Sequence, residues 1–362
     1  MVTKHQDQLS SIASAFRING TPVCIRPIGN GHINDTYLVE CSYAETGISE
    51  GAPLLSCSRY VLQRINENVF GSPDDLMDNI VRVTEYLGKG LRIIPARSGS
   101  PYLRTENGCW RMMNYIEGSF ATETCSNADQ FMEIGRAYGS FISDLSDFPA
   151  GTLHETIKYF HDTRQRFQRF ITACRRNIAG RAENAAEEIR FALEHEKHVD
   201  ILNDSLKAGE MPLRVTHNDT KINNVLLDRE TEKAICVIDL DTVMPGLAVN
   251  DFGDAIRSGA ATGREDETNS DAVRLDLDMY RAFAKGFIEG FPDITEAEIK
   301  MMPAGARMMT LECGLRFLTD YLEGDHYFKT DYPEHNLVRC RTQFSLLRDM
   351  EEKQEEMSIT GC

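Results

Sequence analysis

The run of sequence patterns predicts an α+β fold in two lobes, strand-rich over 1–116 and helical over 117–362. Three observations carry this. The chain has 362 residues, more than one compact core usually serves. Short β-branched and alternating apolar runs crowd its first third. Beyond Gly118 the apolar spacing becomes that of amphipathic helices.

Val23–Ile28 and Thr36–Cys41 are predicted strands flanking a glycine-rich turn. Tyr60–Ile65 alternates, with Tyr60, Leu62 and Arg64 on one face and Val61, Gln63 and Ile65 on the other. Between them, Ser42–Ser58 carries Gly47, Gly51, Pro53 and several serines, the composition of a loop. Ser72-Pro73-Asp74-Asp75 is a helix-start signal, and Leu76, Ile80, Val83 and Leu87 keep helical spacing after it. Ile93–Ala96, Tyr102–Arg104 and Trp110–Tyr115 complete the strands. In the second lobe Phe131, Ile134, Tyr138, Ile142 and Leu145 form a helical stripe, and 155–175 and 182–206 are predicted helical with charged outer faces. Met301–Leu322 has the pattern of a buried helix, and Asp349–Met357 that of a frayed end.

Lys plus Arg number 39 against 56 Asp plus Glu, a formal charge of -17. Such a chain is repelled by nucleic acid and by anionic membrane surfaces, so neither is an expected partner. Any phosphate must be held locally, by backbone N–H groups, a few basic residues or a metal. The ten cysteines contain no C-x-x-C pair, which disfavours a zinc cluster. Met1–Phe16 lacks the apolar core of a signal peptide, and no window resembles a membrane span. A cytoplasmic protein with free thiols is the expectation; its oligomeric state is left open.

The chemistry concentrates in Val215–Asp241. His217, Asp219 and Asn224 are spaced H-x-D-x-x-x-x-N. In kinase chemistry that spacing puts an acceptor-side carboxylate and a metal-binding amide around a transferring phosphoryl group. Val225–Leu227, a polar turn and Ala234–Ile238 form a hairpin that ends at Asp239. The hairpin can return this carboxylate to the face of Asn224, completing a magnesium site of hard oxygen ligands. Asn250–Asp254 contains the letters Asp-Phe-Gly. A metal aspartate should follow the hairpin directly, so 251–254 is expected to open the next helix, with Asp251 or Asp254 anchoring the loop.

The pattern resembles the aminoglycoside phosphotransferase and choline kinase superfamily of small-molecule kinases, whose loop is His-x-Asp-x-x-x-x-Asn followed by a strand ending Ile-Asp. Here those residues are His217, Asp219, Asn224 and Ile238-Asp239. The resemblance implies a two-lobed protein-kinase-like fold, Asp219 as catalytic base, Asn224 and Asp239 as Mg2+ ligands, and His217 as a structural residue. Within the superfamily, 31–37 (Gly-His-Ile-Asn-Asp-Thr-Tyr), 60–66, 217–221, 238–242, 312–318 and 320–325 are similar to the N-acetylhexosamine 1-kinases. That likeness implies ATP as phosphoryl donor and the anomeric hydroxyl of N-acetylglucosamine or N-acetylgalactosamine as acceptor. Choline, homoserine, methylthioribose and aminoglycosides are the acceptors of the alternative reading, and a non-catalytic nucleotide-binding scaffold is the remote one.

Gly29-Asn-Gly-His-Ile-Asn34 fits a loop covering ATP phosphates. Gly29, Gly31, His32, Asn34, Gln63 and the linking-segment residue Tyr115 are the candidate nucleotide contacts. Gln63 stands where kinases carry a Lys or Arg, and Glu85 is the candidate helix carboxylate. On the sugar side, His32, Asn34, Asp219, Asp241, Arg316 and Tyr321 are candidates. Arg316 can instead pair with Glu312 or Asp320, Tyr321 can be a core residue, and His161-Asp162 has the look of a helix cap.

Overall fold

The computed structural model describes residues 2–29, 34–44 and 55–359. They group into two compact units, Met1–Ser119 with His154–Ile157, and Phe120–Leu153 with Lys158–Cys362.

The first unit begins with a helix that periodicity did not announce, α1 (Val2–Ser14). Strands β1 (Thr21–Pro27), β2 (Asp35–Ala44) and β3 (Leu55–Arg64) follow, then helix α2 (Pro73–Leu87), then β4 (Ile93–Ile94), β5 (Leu103–Thr105) and β6 (Gly108–Asn114). The sheet is antiparallel in the order β1-β2-β3-β6-β4, with β5 on β6. β2 and β3 pair from Asp35↔Arg64 out to Ala44↔Leu55, so both strands run well into the expected loop of Ser42–Ser58. Leu9, Ile12, Ala13 and Phe16 pack on Val39, Leu62, Trp110 and Met112. That i, i+3, i+4, i+7 stripe is short and set among polar residues, which hid it. Helix α2 starts as its signal predicts, with Ser72 accepting from Asp75 N–H and proline in the first turn.

After β7 (Ser119–Phe120), the second unit runs α3 (Ala128–Asp144), α4 (Thr163–Arg176), α5 (Ala186–Glu194), α6 (Ile201–Lys207), β8 (Arg214–Thr216), β9 (Val225–Asp228), β10 (Ala234–Val237) and β11 (Met244–Gly246). Helices α7 (Ala248–Gly259), α8 (Leu277–Gly290), α9 (Glu296–Glu323) and α10 (His335–Glu352) complete it. Residues 155–162 are not helical, because Asp162 caps α4 and so starts it later. The stretch 182–206 breaks into short helices rather than one. The predicted buried helix is α9, opened by a capping box between Thr295 and Glu298. The expected fray at 349–357 is packed instead: Asp349 accepts from Leu275 N–H, and Met357 is buried. No helix among the described residues is long and apolar enough to cross a membrane. The described cysteines are all free.

Candidate active site

The segment between β8 and β9 is irregular, so its backbone groups need partners from elsewhere. They find them in two carboxylates of α7. Asp251 accepts from His217 N–H and Asn218 N–H, each at 2.7 Å, and Asp254 accepts from Thr220 N–H at 3.0 Å. Thr220 Oγ1 returns a bond to the Asp251 carbonyl at 2.6 Å, and Tyr138 on α3 donates to the Lys221 carbonyl at 2.6 Å. The Asp-Phe-Gly letters therefore lie in the first turns of a helix and carry the loop. Burial raises the Asp251 carboxyl pKa from 3.8 to about 6 although the two N–H groups it accepts pull it down.

His217 is fully buried and holds the loop to the hairpin. Its Nε2–H donates to the Ile238 carbonyl at 2.9 Å, and its Nδ1 accepts from Asp219 N–H at 3.2 Å. One nitrogen donates and the other accepts, which defines a neutral ring with the proton on Nε2. Asn218 and Asp239 both sit in the left-handed region, at φ 64° and 61°. Asn and Asp tolerate that region better than other side chains, which explains those residue types at two sharp reversals.

Asp219, Asn224 and Asp239 converge through backbone pairing. Ile238 N–H bonds the Asn224 carbonyl at 2.8 Å, which sets Asp239 beside Asn224. The Asn224 amide donates to the Asp219 carbonyl at 2.9 Å, leaving its side-chain oxygen as the end suited to a cation. An amide oxygen and the Asp239 carboxylate are hard donors of the kind magnesium takes, usually beside several waters and phosphate oxygens. No three-residue His/Cys/Asp/Glu cluster for a metal occurs among the described residues. Asp241 is buried in the single turn that follows, Leu240–Thr242.

Lys221 is not among the residues that the sequence pattern singles out. Its ammonium lies 2.9 Å from Asp219 Oδ1 and 3.1 Å from Oδ2, and the Asp219 charge raises its pKa above the usual lysine range. The signal was available: a basic residue two positions after the candidate base, on the same short loop.

The nucleotide candidates lie in the first unit. Gly29 has φ 71°, a conformation favouring glycine, and Gly31 and His32 lie outside the described residues. Asn34 accepts from Asn66 N–H through its side-chain oxygen at 3.0 Å. Gln63 is engaged within the sheet rather than held as a clamp. Its Oε1 accepts from Arg111 Nε at 2.9 Å and Nη2 at 2.7 Å, and its Nε2 donates to Thr36 Oγ1 at 3.0 Å. Arg111, directly across on β6 and 1% exposed, brings to this face the positive charge that Gln63 lacks. Tyr115 donates its N–H to the Arg59 carbonyl at 3.3 Å, and its ring lies under the Arg59 guanidinium. Glu85 is exposed on α2, so it is no inward-facing carboxylate.

Two sugar-side readings change. Arg316 forms no ion pair with Glu312 or Asp320. Glu312 is taken by His161 and Thr163, and Asp320 accepts backbone N–H groups of His326, Tyr327 and Phe328 at 2.9, 2.8 and 2.9 Å. The Arg316 guanidinium lies instead 5.7, 5.9 and 5.5 Å from the rings of Phe160, Tyr327 and Phe328. With Arg166, Arg169, Thr319 and Asp320 it lines a pocket. Burial first, and then the neighbouring Arg316 charge, lower the Arg166 pKa. Tyr321 is the core residue of the two alternatives: it is 1% exposed, with Arg181 over its ring. Asp162 caps α4 as expected, but His161 does not cap; it reaches Glu312 and the Asn218 carbonyl.

Among solved structures, a microcompartment-associated aminopropanol kinase matches at TM-score 0.64 and 17% identity, over 99% of each chain. A spectinomycin phosphotransferase in complex with ADP and spectinomycin matches at 0.60 and 14%, over 97% of this chain and 98% of that one. The choline kinase of Cryptosporidium parvum Iowa II matches at 0.58 and 14%, again over 97% and 98%. At such identities the likeness is one of fold: an antiparallel strand-rich part and a helical part, protein-kinase-like, as the sequence predicted. The sequence profile described as "Phosphotransferase enzyme family" spans residues 25–285, from the first strand through the anchored loop to α8, and the chain belongs to that family.

Proposed function

We propose that the protein transfers the γ-phosphoryl group of ATP to the anomeric hydroxyl of an N-acetylhexosamine, giving a sugar 1-phosphate and ADP. The reaction class rests on the convergence of Asp219, Lys221, Asn224 and Asp239 on one anchored loop and hairpin. Asp219 orients the acceptor hydroxyl and takes its proton as the oxygen bonds to phosphorus; in a loose transition state this demands little basicity. Lys221 fixes the carboxylate's orientation by touching both of its oxygens. Asn224 and Asp239 are the residues to hold Mg2+, which when bound neutralises charge on the phosphate oxygens.

The acceptor class rests on the Arg316 pocket. Net charge of -17 favours a cationic acceptor such as choline or an aminoglycoside, but the pocket is locally basic and repels one. Aromatic rings beside a guanidinium suit a neutral polyhydroxylated ring, whose C–H face packs on the aromatics while its oxygens accept from arginine. Tyr327 and Phe328 supply the stacking rings. N-acetyl selection comes from the resemblance at 31–37 and 312–325.

The test is an ATP/Mg2+ assay over N-acetylhexosamines, other free sugars, choline and aminoglycosides, with the phosphate position read by phosphorus NMR. The expected product is an N-acetylhexosamine 1-phosphate, with kcat reduced about 10²–10⁴-fold in Asp219→Asn. Phosphate on a non-anomeric hydroxyl, or faster turnover of a cation, sinks the acceptor assignment. An Asp219→Asn variant with near wild-type kcat removes the base.

A further inference from the structure

The peptide unit joining Asn218 to Asp219 is held at both of its polar ends by histidines. Its N–H is bonded by His217 Nδ1 at 3.2 Å. Its carbonyl oxygen lies 2.9 Å from His161 Nε2. His161 comes from the segment before α4, far away in sequence. A carbonyl oxygen can only accept, so Nε2 must carry a proton. The other ring nitrogen, Nδ1, lies 3.1 Å from Glu312 Oε1, whose second oxygen accepts from Thr163 Oγ1 at 3.1 Å. His161 and Glu312 side chains are 8% and 1% exposed. Whichever of the two holds the shared proton, Nε2–H is left as the donor, so Glu312 selects the ring form that grips the loop.

We infer that His161, set by Glu312, is a positioning residue for phosphoryl transfer: it fixes the peptide plane immediately before Asp219 and so aims that carboxylate. The φ of 64° at Asn218 makes the restraint meaningful. A non-glycine residue relaxes from that region by rotating the adjacent peptide, and rotation here would swing the carbonyl off His161 and displace Asp219. The Asp251 and Asp254 carboxylates hold loop N–H groups only, so His161 supplies the grip on a carbonyl that they cannot. Burial alone would lower the His161 pKa, but Glu312, the Asp254 charge and the Asn218 carbonyl together offset it and the pKa is raised.

The inference rests on Asp219 being the base of the proposed reaction, and two matched variants separate the claims. The side-chain amide of His161→Gln reaches the position of Nε2, whereas that of His161→Asn reaches only the position of Nδ1. The expected result is a kcat in His161→Asn about 10²-fold below wild type, from misaimed reacting groups. KM for ATP and sugar should stay unchanged, and His161→Gln should recover about tenfold. A merely structural histidine would lose equally in both variants. Hydrogen exchange over 215–224 gives a readout free of any acceptor: protection should fall in His161→Asn and be retained in His161→Gln. Equal kcat and equal loop protection in the two variants overturn the inference. A wild-type enzyme inactive on every N-acetylhexosamine overturns the proposed function, and loop exchange then decides the role of His161.

Discussion

Asp251→Asn keeps side-chain volume and shape while changing one acceptor into a donor. Asp251 is 0% exposed, and its two oxygens accept the N–H groups of His217 and Asn218 at 2.7 Å each. Asparagine can satisfy one; the other then faces an NH₂ group. Losing one charge-assisted bond and stranding one buried N–H amounts to about 2–4 kcal/mol, concentrated on the loop. That is a substantial part of the roughly 5–15 kcal/mol that stabilises a typical domain. The loop should loosen and Asp219 move, lowering kcat about 10²-fold. Steady-state kinetics with ATP and sugar, beside hydrogen exchange over 215–224, measure both. A kcat close to wild type with unchanged loop protection would refute the anchoring role. In acid, wild type should imitate the variant's loss of activity but not its loss of stability. The Asp251 pKa is raised from 3.8 to about 6, so the group's contribution to stability is fully present below the unfolded value and is lost as pH rises through about 6. Activity runs the other way, because only the ionised form accepts both N–H groups. An acid limb of kcat with midpoint near pH 6, with no parallel fall in unfolding temperature from this group, is the expected signature.

Gly246→Ala places a Cβ 2.2 Å from Thr216 Oγ1 and 2.9 Å from Asn218 Oδ1, so it should cost about 1–3 kcal/mol and depress kcat, read by thermal unfolding and kinetics. Arg316→Ala should raise KM for the sugar about tenfold or more while KM for ATP holds; an unchanged sugar KM removes Arg316 from the acceptor pocket. Arg111→Met strands the Gln63 carbonyl oxygen, so the first unit should unfold about 1–3 kcal/mol more easily in denaturant.

What the sequence disclosed followed from how local each feature is. The spacing of His217, Asp219 and Asn224 and the hairpin to Asp239 sit within one short stretch, where turn chemistry and alternation carry the information. Helix α2 announced itself by its cap. Gln63 was visible as an anomaly, but its partner Arg111 lies on β6 and is joined to it only by strand register. His161 looked like part of a cap signal because Asp162 beside it is the cap; Glu312, its partner, is on α9. Tyr321 and Tyr327 differ by six positions, yet Tyr321 is a core residue and Tyr327 lines the pocket, because of where α9 ends. Gly324, in the left-handed conformation, stops the helix, and Asp320 then turns 326–328 back so that Tyr327 and Phe328 face Arg316.

Charge shows the same division between bulk and local properties. A formal -17 speaks of long-range steering and solubility, and screening confines it to about 8 Å at physiological salt. At the pocket the relevant charges are Arg166 and Arg316, with Arg169 paired to Glu323 at 2.7 Å, against Asp320, whose oxygens are already committed to backbone N–H groups and to Asn336. A cationic acceptor would be drawn toward the molecule and then turned away at the site. The neutral sugar of the proposed reaction would meet no such reversal.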